Sequence, residues 1–268
     1  VKSACSVSLA ALALLAGLLN GPRGPEQTPT GPAAAAGPEL WRKAVEIYRA
    51  NHDWYPEKAA IASEVRDGRK RFRSLTEMFF TLSPDGRGRL RIHLDRSLRN
   101  GVDTTEKMRA KVRIRDPLER LAPSGGNAYS VSISDSPFDP GEQAAVSFAS
   151  TKETRMLSGR SCRRFDFTFR AKIADEDGSK RLTWTGRAWI EEGSGVPARL
   201  EFSIAPLPGK FRSIWIVYEY ETERPDHWVV KSVVISGHGG VLFIKRYFHV
   251  TTTFSEYRRM PAAGPEIP

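Results

Sequence analysis

Between residues 143 and 254 apolar and polar side chains alternate in run after run, with Gly- and Pro-bearing breaks between the runs. A period of two places every second side chain on one face of an extended strand. The runs at 143–150, 161–172, 180–190, 198–205, 214–222, 227–236 and 241–254 therefore predict seven strands. The breaks EEGSGVP, ERPDH and SGHGG are read as turns, and turns this short join antiparallel neighbours. The clearest pair lies within 181–203. Leu182, Trp184, Gly186, Ala188 and Ile190 share one face of its first strand, and Ala198, Leu200, Phe202 and Ile204 one face of its second. IWIVYEY is apolar on both faces, with Ile214, Ile216, Tyr218 and Tyr220 on one side and Trp215 and Val217 on the other. Both faces then need cover, which a curved sheet wrapped round a helix, or a barrel, provides.

Ahead of this meander, ELWRKAVEIYRA (39–50) sets Trp41, Ala44, Val45 and Tyr48 at helical spacing, with Pro38 at a favoured first position and Asn51 at the end. A helix with one apolar face needs a sheet to lie on. FRSLTEMFFTLS alternates, SPDGRG turns, and RLRIHLD returns with Leu90, Ile92 and Leu94 on one side, which predicts a first hairpin. VDTTEKMRAKV (102–112) reads as a second, shorter helix capped by Asp103 or Thr104. Loop-rich sequence follows to Pro140.

The chain has 268 residues, 40% of them hydrophobic and 27% charged, which suits one globular β-rich domain with a sizeable core. Residues 1–20 resemble a secretion signal: Val1-Lys2 is followed by the apolar run SVSLAALALLAGLL, too short for a spanning helix of about 20 residues. Residues 21–37, rich in Pro, Ala and Gly, read as a linker, 38–260 as the domain and 261–268 as a tail. The expected location is therefore the periplasm or cell envelope, with an uncleaved anchor as an alternative to signal removal. Setting residues 1–36 aside leaves a charge of about +9 from the formal +10, so the basicity belongs to the domain. Cys162 is the one cysteine of that domain, so no internal disulfide is expected and the core must hold the fold.

Motifs for chemistry are sparse. No Gly-x-Ser-x-Gly elbow is followed by Asp and His, and SGHGGVLF is read as a hairpin turn in preference to an oxyanion loop. His52, His93, His227, His238 and His249 are scattered without metal-ligand spacing. Neither catalysis, a metal nor a cofactor is expected. Cys162 lies among Arg160, Arg163 and Arg164, which could activate a thiol, but a small buried residue at a strand start is the favoured reading. In RDGRKRFR, the cations Arg66, Arg69, Lys70, Arg71 and Arg73 form either a solvated turn or a patch for an anionic membrane surface. Export argues against nucleic acid as the partner. Trp184, Phe202, Trp215, Trp228 and Phe243 are the candidate ligand-binding residues. They either line a cavity for acyl chains or pack as a closed core.

The unit WTGRAWIEEGSGVPARLEFS, taken with the leading helix and the long meander, resembles the periplasmic lipoprotein carriers of the LolA/LolB type. The match runs through Ala188-Trp189-Ile190-Glu191, then the acidic Gly turn with Gly193 and Gly195, then Pro197 and the alternating strand to Phe202. The resemblance implies an α+β, mainly antiparallel fold: a curved half-barrel sheet with the N-terminal helix packed on its concave face. It also implies a lipid or acyl-bearing ligand, or a lipoprotein, held between helix and sheet. Because a stress-response regulator shares the superfamily fold, the alternative is an envelope regulatory or protein-interaction module with a filled core.

Overall fold

Alternation on this scale becomes eleven strands of a single antiparallel sheet in the computed structural model, which describes residues 36–84, 90–114, 136–175, 178–207, 211–224, 227–241 and 244–260. The signal-like run, nearly all of the linker, the tail and the candidate Phe243 lie outside those residues. The elements are helix α1 (Ala36–Asn51), strands β1 (Trp54–Asp67), β2 (Phe72–Pro84), β3 (Leu90–Arg99) and β4 (Val102–Asp103), then helix α2 (Thr105–Ile114). A 3-10 turn (Pro140–Ala145) leads into β5 (Val146–Leu157), β6 (Arg160–Asp175), β7 (Gly178–Glu191), β8 (Pro197–Ala205), β9 (Phe211–Arg224), β10 (His227–Val241) and β11 (Ile244–Arg259). Their order across the sheet is β4-β3-β2-β1-β11-β10-β9-β8-β7-β6-β5. Two meanders are thus joined where β1 pairs with β11, and the sheet stays open, with β4 and β5 at its edges.

The sheet is curled into a half-barrel around α1. On a flat sheet β5 and β10 would stand about 24 Å apart, at about 4.8 Å per strand. Trp41 and Tyr48, about 10 Å apart along the helix axis, nevertheless reach both: Trp41 stacks on Phe148 of β5 at 4.4 Å, and Tyr48 meets Trp228 of β10 at 6.0 Å. The helix therefore lies on a concave face, as expected. Leu40, Trp41, Ala44 and Tyr48 are its buried stripe, at the spacing of one helix face.

Several local expectations change. No strand was expected at Trp54–Asp67, where β1 runs. Its inward residues include Ala59 and Ser63 beside Ile61 and Val65, too small and polar to give a strong period-two signal. The strand expected from residue 143 begins at Val146, because Pro140 opens a 3-10 turn capped by Asp139, whose carboxylate accepts from Gly141 N. The second helix begins at Thr105: Val102–Asp103 pairs with β3 instead, while Asp103 Oδ1 accepts from Thr105 N at 2.8 Å. SGHGG is a stretch of β10 and no turn. A Cβ on Gly237 would stand 2.2 Å from Ser213 O and 2.8 Å from the Phe248 ring, so the glycine admits its neighbours without interrupting the ladder.

Candidate functional site

On the concave face, alternation and register combine to build a continuous ladder of rings. Phe169 of β6 meets Trp184 of β7 edge-on at 5.2 Å, Trp184 stacks on Phe202 of β8 at 4.4 Å, and Phe202 faces Tyr218 of β9 at 5.8 Å. Tyr218 continues to Tyr220 at 6.4 Å, Tyr220 stacks on Trp228 of β10 at 4.4 Å, and Trp228 ends against Tyr48 of α1. Each contact of this kind adds to the area its rings remove from water. Gly186 makes the centre possible. It is paired with Phe167 on one side and Phe202 on the other, and those two rings close over it at 6.3 Å.

Three of the five sequence candidates, Trp184, Phe202 and Trp228, are gathered in this ladder. Trp215 is not. It lies on the outer face, 38% exposed, beside an open cleft of about 570 Å³ lined by Ser147, Asp166, Thr168, Thr185 and Arg187. The parity of IWIVYEY already assigned Trp215 to the side opposite Tyr218. Phe169, Tyr218, Tyr220 and Tyr48 complete the site. The period-two signal marked both tyrosines as inward-facing, but only the strand pairing puts them in line with Trp184.

Polar groups on this face are few; among them the buried Ser63 Oγ of β1 has no hydrogen-bond partner among the described residues. Trp41 Nε1 donates to Gln143 Oε1 at 3.0 Å, and Trp228 Nε1 donates to Pro197 O at 2.8 Å. Trp184 Nε1 has no acceptor among the described residues, although Trp184 is only 2% exposed. Burial pushes the Tyr220 hydroxyl well above its ordinary range, with Tyr218 and Tyr48 adding to the effect, so it stays neutral. α1 is tied down near its two ends, by Trp41 and by Asn51, whose Oδ1 accepts from Trp228 N at 2.8 Å.

The outer face carries charge. Glu201, 3% exposed, sits between Arg187 at 2.6 Å and Arg199 at 2.8 Å. Cys162 is buried and its thiol is pushed up, chiefly by burial and despite the nearby Arg160. It donates to Arg160 O at 3.6 Å, so the flanking arginines do not make it a ready nucleophile. Ser213 Oγ and His238 Nδ1 are 2.6 Å apart, but among the described residues no carboxylate pairs with that imidazole. Among the described residues no group of three or more His, Cys, Asp or Glu is arranged to hold a metal ion, and no helix is long and apolar enough to cross a membrane.

No protein-family model and no curated protein matches the chain. Among solved structures it is similar to a putative outer membrane lipoprotein-sorting protein domain from Vibrio parahaemolyticus, at 9% identity and a TM-score of 0.36, over 84% of this chain and 95% of that one. It is similar also to a DUF1329 family protein from Desulfovibrio piger, at 8% identity and a TM-score of 0.35, over 86% of this chain and 96% of that one. The MucA/MucB complex of Pseudomonas aeruginosa follows at 9% identity and a TM-score of 0.23, over 85% of this chain and 100% of the matched one. At these scores the likeness is to a general architecture. The fold stands on its own strand order and the functional reading on the chain's own chemistry.

Proposed function

We propose that this chain is an exported, non-catalytic binding protein that holds an acyl-bearing hydrophobic ligand, a lipid or a lipid-modified protein, between α1 and the ring ladder. One observation carries the reading: Trp184 Nε1 is a buried donor without an acceptor among the described residues, in the middle of a face dominated by aromatic rings. Leaving such a group unsatisfied costs about 1–3 kcal/mol. The carbonyl of a fatty acid or ester would satisfy it, and the rings around it supply an apolar surface for the alkyl chain. The ladder is closed at stacking distance, so a ligand enters by lifting α1, which is held by one hydrogen bond from Trp41 to Gln143 of the 3-10 turn and one from Trp228 of β10 to Asn51. The same closure favours a second reading, a protein-interaction module in which the rings are simply core.

Organic extraction of the purified chain followed by mass spectrometry, and titration of the delipidated protein with a long-chain fatty acid, separate the two. The carrier reading expects a stoichiometric acylated ligand, and a Trp184→Phe chain that binds fatty acid about threefold to tenfold more weakly while melting within a few degrees of wild type. A chain that carries no lipid and takes up none is the interaction module.

A further inference from the structure

At the end of the sheet where β1 turns into β2, two distant stretches of cations meet. Asp67 is paired with Arg246 of β11, and a Cβ on Gly68 would stand 3.3 Å from Lys245 Cβ. The turn itself is built on Asp67, whose side chain is almost fully buried. Its carboxylate accepts from Arg69 N at 2.9 Å, Arg71 N at 3.0 Å, Arg71 Nε at 3.1 Å and an Arg73 guanidinium nitrogen at 2.8 Å. Lys70 takes φ 61° at the tip and lies over the Tyr247 ring at 5.7 Å. One end of the molecule thus presents Arg66, Arg69, Lys70, Arg71, Arg73, Lys245 and Arg246. Glu64 pairs with Arg66, and Asp67 pairs with Arg71 and Arg73. The remaining four cations have no carboxylate partner among the described residues.

Phe72 stands among them, 56% exposed. A single exposed phenylalanine is ordinary on a protein surface. One flanked by cations on a turn hydrogen-bonded through Asp67 has the composition of an interfacial anchor, in which the ring enters the headgroup boundary and the cations meet anionic lipid. We infer that this tip docks the protein on an anionic bilayer surface. The occupant is chosen by charge complementarity together with Phe72, because a soluble polyanion gives a hydrophobic ring nothing to enter. This inference does not depend on the concave face holding a ligand.

The test is co-sedimentation of the full chain with vesicles of phosphatidylcholine alone and of phosphatidylcholine with one-third phosphatidylglycerol. Any binding by the apolar run at residues 6–19 is common to both vesicle types, so the difference between them, and between variants, reports the tip. Each neutralised cation is expected to weaken binding to the anionic vesicles about fivefold. The triple variant Lys70→Gln, Lys245→Gln, Arg246→Gln should then lose about two orders of magnitude, with raised salt acting in the same direction. Phe72→Ala should lose about tenfold more than any effect it has on phosphatidylcholine vesicles. Equal binding to the two vesicle types overturns the inference, as does a triple variant that sediments like wild type. Release by heparin with Phe72→Ala unchanged makes the patch a general polyanion site and also overturns it. Melting curves identify any variant that fails to fold, and extraction of the sedimentation-deficient variants separates the two proposals: lipid retained without docking leaves the carrier reading intact.

Discussion

Replacing Gly186 with alanine is the sharpest test of the ladder's geometry. A Cβ at this position would lie 2.0 Å from Glu201 O and 2.6 Å from both Cα and Cβ of Phe202. A carbon normally keeps about 3.3 Å or more from a carbonyl oxygen, so β8 would have to retreat by more than 1 Å. The ladder hydrogen bonds beside it, ordinarily about 2.9 Å long, would then exceed the roughly 3.2 Å limit of a useful bond. Losing about two of them, with their groups left buried, costs roughly 2–6 kcal/mol. Alanine recovers about 0.4–1 kcal/mol by restricting the unfolded chain. The net loss of roughly 1–5.5 kcal/mol corresponds to a melting temperature lower by roughly 2–20 °C. Near-ultraviolet circular dichroism during the melt should also show a weaker signal from the Trp184–Phe202 stack before unfolding. Gly193→Ala is the matched control, because a Cβ there meets nothing within 4 Å. A Gly186→Ala chain that melts within about 2 °C of wild type, with its aromatic signal intact, would refute the close approach of β7 and β8.

Asn51→Ala removes the acceptor of the buried Trp228 N–H; urea titration should show a loss of about 1–3 kcal/mol and hydrogen exchange should speed up at the C-terminal end of α1. Burial alone would raise the Asp67 pKa, but the Arg71 and Arg69 backbone N–H groups and the Arg71 side chain outweigh it and hold it at about 2, below the ordinary 3.8. A depressed carboxylate contributes stability that is complete above its unfolded value and is lost as pH falls through the folded one. Wild type should therefore lose stability between about pH 4 and 2 through this group, and Asp67→Asn should be less stable at neutral pH and lack that share of the slope in acid melts. Cys162, buried with its thiol pushed up, should resist a thiol reagent at mildly alkaline pH in the native chain and react stoichiometrically in denaturant; fast native labelling would contradict its placement.

Much of the architecture is legible in the sequence. The period-two runs identified β6 to β9 within a few residues, because alternation follows from the covalent geometry of an extended chain and the water on one side of it. The stripe of Trp41, Ala44 and Tyr48 identified α1 for the corresponding helical reason. β1 was missed because alanine and serine occupy part of its inward face. SGHGG was misread because glycine, which commonly marks a turn, here relieves crowding between paired strands. The candidate residues illustrate the same boundary: the face of Trp215 could be read from parity, but which inward rings stand in line could not.

The sequence by itself determined a mainly antiparallel β chain led by an amphipathic helix, with a basic surface and inward aromatic rows, since these are properties of neighbours along the chain. The tertiary structure decided the pairing of β1 with β11 that joins the two meanders, the ladder from Phe169 to Trp228, the Trp184 donor left without an acceptor among the described residues, and the meeting of Lys245 and Arg246 with the β1–β2 turn. Those depend on register and curvature between strands far apart in sequence. A shift of one residue in that register would exchange the two faces of a strand while leaving its local pattern untouched.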